Sequence, residues 1–118
     1  MSKYKFYKNK KTKYHPSIHI SIQTNKIWEN IEITSSPTKE GRYIKLIKNP
    51  NPNTPYKEAW FRKYIRKDPL WAMGEELRNY SLCKEDEEQI DLFLKQHIKN
   101  KANISVKKRK RNRKKKTR

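Results

Sequence analysis

The chain has one cysteine, two glycines and no run of 18 apolar residues. A lone Cys83 excludes an internal disulfide framework and any cysteine-based metal cluster, and it fits a reducing compartment. Gly41 and Gly74 stand thirty-three residues apart, so no glycine-rich loop is present to cradle phosphates. Without a long apolar run nothing reads as a bilayer span. The amino-terminal MSKYKFYKNKK is basic but lacks the apolar segment of a secretory signal. A cytoplasmic location is expected, and in a eukaryotic host the basic C-terminus also reads as a nuclear address.

Acidic residues are scarce as well. Twelve Asp plus Glu face 31 Lys plus Arg in 118 residues, a formal net charge of +19. The excess sits at the ends: six lysines and no acid in residues 1–13, and ten Lys or Arg among residues 107–118. Between them fifteen bases nearly balance twelve acids. The expected organisation is therefore a basic N-terminal arm (1–13), one folded domain (14–99) and a disordered basic tail (100–118). Blocks of like charge bind polyanions, and nucleic acid is the expected partner because each neutralised phosphate releases counterions. Lys107, Lys108, Arg109, Lys110 and Arg111 are candidate phosphate contacts in the tail. A membrane partner is not expected, since the tail has neither interleaved aromatics nor an amphipathic pattern.

The middle reads as mainly β. Ser17–Gln23 alternates Ile18, Ile20 and Ile22 with Ser17, His19 and Ser21, the period of a half-buried strand. After the turn Thr24-Asn25-Lys26, IWENIEIT supplies a hairpin partner with Ile27, Ile31 and Ile33 as core. RYIKLIK (42–48) predicts a third strand with Tyr43, Ile44, Leu46 and Ile47. NPNPNTP (49–55) is a proline-punctuated connection, and AWFRKYIRK (59–67) predicts a fourth strand. WAMGEELRNYSL contains a short helix or turn broken at Gly74. Residues 83–99 predict a helix with an acidic first turn, a basic last turn and one apolar face of Ile90, Phe93, Leu94 and Ile98. Strands followed by a terminal helix argue for a small antiparallel barrel or curled sheet capped by that helix.

Few residues carry chemistry. His15 and His19 have the i, i+4 spacing of a zinc pair, but on a strand interrupted by Pro16 the two side chains do not converge. No metal and no cofactor is expected. Glu29 and Glu32 point to opposite faces of a strand, and Glu85–Glu88 is explained by helix-start electrostatics. What is left suits metal-free phosphodiester chemistry, which needs a base, an acid and a donor or cation for the charged phosphorane. Antiparallel geometry puts His15, before one strand, on the same rim as Thr34-Ser35-Ser36, after its partner. His15, Thr34 and Ser35 are the candidate catalytic residues. Lys11, Lys13 and Arg42 are candidates for holding charge. Trp60, Arg62 and Tyr64 are a candidate face on which single-stranded bases stack, the competing use of those rings being core packing.

The order "HPSIHIS", hairpin, "EITSSP", "YIKLIKNPNPN", an aromatic-plus-Arg strand and a closing acidic-start helix resembles the PemK/MazF type of toxin over residues 10–99. The resemblance implies an SH3-like barrel acting as an endoribonuclease, so RNA rather than DNA, usually as a homodimer neutralised by an antitoxin. It places the family's catalytic Arg at His15 and its catalytic Thr at Thr34, followed by Ser35. Histidine titrates where arginine holds a permanent charge. That substitution leaves two outcomes open. His15 takes over proton transfer with Lys11, Lys13 or Arg42 stabilising charge, or the barrel binds nucleic acid or an assembly protein of a phage or plasmid without cutting.

Overall fold

A computed structural model describes residues 3–38, 42–54 and 57–98 of the chain. It is mainly β with a C-terminal helix. Seven antiparallel strands run β1 (Phe6–Asn9), β2 (His15–Ile22), β3 (Ile27–Thr34), β4 (Tyr43–Lys45), β5 (Trp60–Arg62), β6 (Arg66–Pro69) and β7 (Met73–Glu76). Their order across the sheet is β4-β5-β3-β2-β1-β7, with β6 also paired to β3. The eight-residue β3 is the shared strand. Its first half, Ile27–Asn30, pairs with β6, and its last two residues, Ile33 and Thr34, pair with β5.

The sheet is curled, and two contacts show it. β6 and β7 are joined only by the 3-10 turn Leu70–Ala72, yet they pair with β3 and β1, which have β2 between them. Asn9 on β1 also donates to Asp68 on β6 at 3.0 Å. Strands three steps apart in a flat sheet would stand about 14 Å from each other. Among the described residues no ladder joins β6 to β7 or β4 to β7, so the curl does not close into a barrel.

Strand alternation sorts two faces. Phe6, Ile18 and Ile31 lie opposite one another across β1, β2 and β3, and Ile33 lies opposite Phe61; all five are buried. The other face buries Trp28, Asn9, Asn30, Ser17 and Asp68, a polar set around one ring. Trp28 belongs to this second face, whereas alternation had placed only Ile27, Ile31 and Ile33 of its strand in the core.

Several expectations are corrected. Residues 6–13 are not an arm: Phe6 is a core residue of β1, and Lys10–Thr12 form a 3-10 turn. Ile22 is half exposed because a register shift between His19 and Ser21 interrupts the alternation. Ile47 is 73% exposed, β4 ending at Lys45. AWFRKYIRK is two strands, because the chain bends at Lys63-Tyr64 and re-pairs on a different stretch of the same partner, β3. Gly74 sits inside β7, where a short helix or turn was expected, because a Cβ there would lie 2.7 Å from the Lys8 carbonyl oxygen.

The helix α1 occupies residues 84–98. Its start belongs to the sheet unit, Met1–Glu87; a second unit begins at Glu88. Asp86 is buried and accepts from the backbone N–H groups of Ile47 (2.8 Å) and Lys48 (3.1 Å), pinning the chain that leaves β4. Burial pushes the Cys83 thiol pKa up, which keeps it a poor nucleophile. Within the second unit Ile90 is buried and Phe93 and Leu94 are half-buried, but Ile98 is exposed, so the expected apolar face is shorter than its spacing implied.

Candidate functional site

One end of the sheet gathers the residues with chemistry. Asn9 lies opposite His15 and Met73. Continuing the β2–β3 register two residues beyond Ser17↔Glu32 sets His15 opposite Thr34. Thr34 lies opposite Trp60, and Trp60 opposite Lys45. The result is a single row, Met73–Asn9–His15–Thr34–Trp60–Lys45, crossing six strands. Directly paired residues share a face, so Met73, Asn9 and His15 stand side by side, as do Thr34, Trp60 and Lys45.

Beside the middle of that row is a cavity of about 420 Å³ lined by His15, Thr34, Ser35, Asn49, Asn51 and Tyr80, with Pro16, Ile33, Ser36, Thr54 and Ala59. The three residues singled out as catalytic therefore line one space. Ser36 N–H donates to Thr34 Oγ1 at 3.0 Å, folding TSSP into a hydroxyl-capped turn. Across from it the NPNPN segment is a relay of side-chain-capped turns. Asn49 Oδ1 accepts from Asn51 N at 3.0 Å, and Asn51 Oδ1 accepts from Asn53 N at 2.9 Å. Ser81 N donates to Pro50 O, which brings the Tyr80 region alongside. The cavity wall thus carries amide, hydroxyl and phenol groups, and among the described lining residues His15 is the one with a basic side chain.

His15 is positioned from below by buried groups. The turn before it folds over Asn9: Lys11 N donates to Asn9 Oδ1 (2.9 Å), while Thr12 Oγ1 (3.2 Å) and Tyr14 N (2.8 Å) donate to Asn9 O. Asn9 is in turn held by Asn30 Oδ1 at 3.2 Å and Asp68 Oδ2 at 3.0 Å. Asp68 also accepts from Asn30 (2.9 Å) and from both Nε and Nη2 of Arg66 at 3.1 Å. Burial alone would raise the Asp68 pKa, but the hydrogen bonds of Arg66, Asn30 and Asn9 overcome it and hold the carboxyl below its ordinary value. Lys13 (φ 57°) and Tyr14 (φ 67°) both take the left-handed conformation, which costs side-chain-bearing residues about 1–2 kcal/mol each. This wound turn delivers His15 to the rim.

His19 does not join the site. Trp28 Nε1 donates to its Nδ1 at 3.1 Å, and the Tyr7 ring meets it edge-on at 5.8 Å. Burial, then the Lys5 charge, lowers its pKa, so the neutral ring is the favoured form.

The other sequence candidates are placed unequally. Lys11 and Lys13 are exposed on the turn leading to His15. Trp60 stands next to Thr34, half-buried, with Lys45 Nζ 6.0 Å from its ring centre and ion-paired to Glu58 at 2.8 Å. Arg62 lies two residues further along β5, over the Tyr64 ring (5.2 Å) and 3.8 Å from Glu32. Arg42 precedes β4 at the end remote from Lys45 and is not among the described residues that line the cavity. Lys107, Lys108, Arg109, Lys110 and Arg111 lie outside the described residues. Asn49, Asn51 and Tyr80 were missed. The Asn-X-Asn spacing carried a signal for the turn relay, whereas Tyr80 arrives by tertiary packing and carried none.

Among the described residues no group of three or more His, Cys, Asp or Glu side chains is arranged to hold a metal ion, and no helix is long and apolar enough to cross a membrane. No family model, curated protein or solved structure matches the chain.

Proposed function

We propose that the protein is a metal-independent endoribonuclease acting on single-stranded RNA, with His15, Thr34 and Ser35 at its centre. The observation that carries this reading is the convergence of those three residues on one polar cavity. In such a reaction a base takes the 2′-hydroxyl proton, the 2′-oxygen bonds to phosphorus, and the 5′-oxygen leaves with a proton from an acid. An imidazole both takes and gives a proton near neutral pH. The Thr34 and Ser35 hydroxyls and the Asn49 and Asn51 amides supply donors for the charged phosphorane. The resemblance to PemK/MazF-type toxins supports the same assignment at His15 and Thr34, and implies a homodimer and an antitoxin partner in the cytoplasm.

A second reading has one observation in its favour: among the described residues lining the cavity there is no lysine or arginine to hold a permanent charge against the phosphorane. On that reading the same rim binds RNA without cutting it. The two separate in one experiment. Purified protein is incubated with single-stranded RNA in EDTA beside His15→Ala. Cleavage by the wild type that falls by at least ~100-fold in the variant, a typical loss for one acid–base group, supports the nuclease. Binding without cleavage by both proteins replaces it with the second reading.

A further inference from the structure

Two large aromatic side chains at the same end of the sheet are not used by the cavity. Trp71 is 61% exposed and Tyr14 is 62% exposed. Both belong to the row's other flank. Trp71 lies in the 3-10 turn that ends at the start of β7, and Tyr14 immediately precedes β2. Met73 and His15 both pair with Asn9, so the two aromatics sit at the ends of β7 and β2, the two strands that flank β1. The turn Lys10–Thr12 fills the gap, and Lys11 Nζ stands 5.9 Å from the centre of the Trp71 ring.

Three features point to a ligand rather than to unspent apolar surface. The patch is cationic: Lys10, Lys11 and Lys13 are exposed on the turn that leads to Tyr14, Lys11 over the Trp71 ring, and no acidic residue occurs in the chain before Glu29. The display of Tyr14 is held against a conformational cost, since it and Lys13 are both left-handed, and the Tyr14 amide is bonded to Asn9 O. Backbone strain maintained by buried partners is a feature of binding and active sites. Lastly, the patch runs without interruption into His15.

We propose that Trp71, Tyr14 and Lys11 form a base-stacking subsite for single-stranded RNA, contiguous with the His15–Thr34 cavity and on the flank opposite Trp60. The proposal rests on the reading of that cavity as an RNA site, but not on its being catalytic. Stacking takes any base, because every base presents a π-face, and Lys11 lies where a backbone phosphate approaches. A duplex, whose bases already stack on each other, does not use it. RNA is preferred to a protein occupant because the exposed charged side chains of the turn leading to Tyr14, Lys10, Lys11 and Lys13, are all cationic.

The test measures binding by fluorescence anisotropy, with full-length protein in EDTA and a labelled single-stranded homopolymer RNA beside a duplex of equal length. Trp71→Ala and Tyr14→Ala are each expected to weaken single-strand binding by roughly 5- to 150-fold, the range spanned by loss of one stacked base. Duplex binding should be unchanged, and so should the salt slope, since neither variant alters charge. Trp71→Phe should restore most of the loss. Lys11→Ala should instead reduce the salt slope by about 0.7, one phosphate contact on a single strand.

Both aromatics are exposed, so circular dichroism of each variant should match wild type. Unchanged single-strand affinity in both alanine variants overturns the subsite. If those variants dissociate a dimer in sedimentation while RNA affinity stays constant, a second copy of the chain is the occupant and the proposal also fails. His15→Ala separates the premises: lost cleavage with retained Trp71-dependent binding keeps the subsite, and a wild type that binds without cutting removes only the catalytic reading.

Discussion

Asp68 keeps its charge where little water reaches it, and the neighbours that permit this also hold the candidate site in place. Its folded pKa lies below the unfolded value of about 3.9. Its contribution to stability is therefore complete above about pH 4 and is lost as pH falls through the lower folded value. His19 adds an earlier loss. Its folded pKa is lowered by burial and Lys5, so below about pH 6.5 the unfolded chain takes up the proton first and stability falls. Denaturant titrations from pH 8 to 3 should show two declines. His19→Gln should remove the upper decline. Asp68→Asn should remove the lower one and cost roughly 1.5–3 kcal/mol at pH 7, the worth of hydrogen bonds to a charged group. A single decline that neither variant alters would show that these groups do not set the pH dependence. The same residues mark how far the site was legible. His15 on the same rim as Thr34-Ser35 follows from hairpin geometry, which is local in sequence, although the register shift between His19 and Ser21 decides which of the two it faces. Asn9 beneath the turn does not, because its partners Asn30 and Asp68 lie 21 and 59 residues away.

At the level of elements, local period served well where one strand faced one neighbour and poorly where the chain changed partner. The β2–β3 hairpin was readable from its isoleucines and its three-residue turn. The strand pair β5 and β6 was not, since WFR and RKDP share one continuous pattern and only tertiary pairing divides them between two stretches of β3. β7 was hidden for a different reason. MGEE has no β-branched residue, and Gly74 reads as a breaker until the Lys8 carbonyl is seen against it. That close approach makes a prediction about how β7 is held. Gly74→Ala puts a methyl group 2.7 Å from a backbone oxygen that has no flexible side chain to yield, so β7 must move off β1. The expected cost is about 1–3 kcal/mol, read as a fall in Tm of several degrees. Because Met73 and the turn bearing Trp71 would move with the strand, RNA affinity should fall as well. A variant as stable as wild type would mean that the two strands separate without penalty.

For the molecule as a whole, the proposed function implies two kinds of attraction to RNA, separable because they scale differently with salt. The rim offers aromatic faces, a cavity of neutral donors and a handful of cations. Residues 101–118 carry eleven of the chain's 31 basic side chains and no acid. Counterion release makes the logarithm of affinity fall linearly with the logarithm of salt, by about 0.7 for each phosphate neutralised on a single strand. Stacking has no such dependence. Deleting residues 101–118 should therefore lower affinity most at about 50 mM salt, flatten the salt slope, and leave little difference from the full chain where salt already screens the tail. Cleavage at saturating RNA should be unchanged, since His15, Thr34 and Ser35 lie in the sheet unit. Combining the deletion with Trp71→Ala should give losses that add in free energy, as expected for sites with no shared partner. An unchanged slope after the deletion would mean that the charge excess does not act on RNA, and that the rim alone accounts for binding.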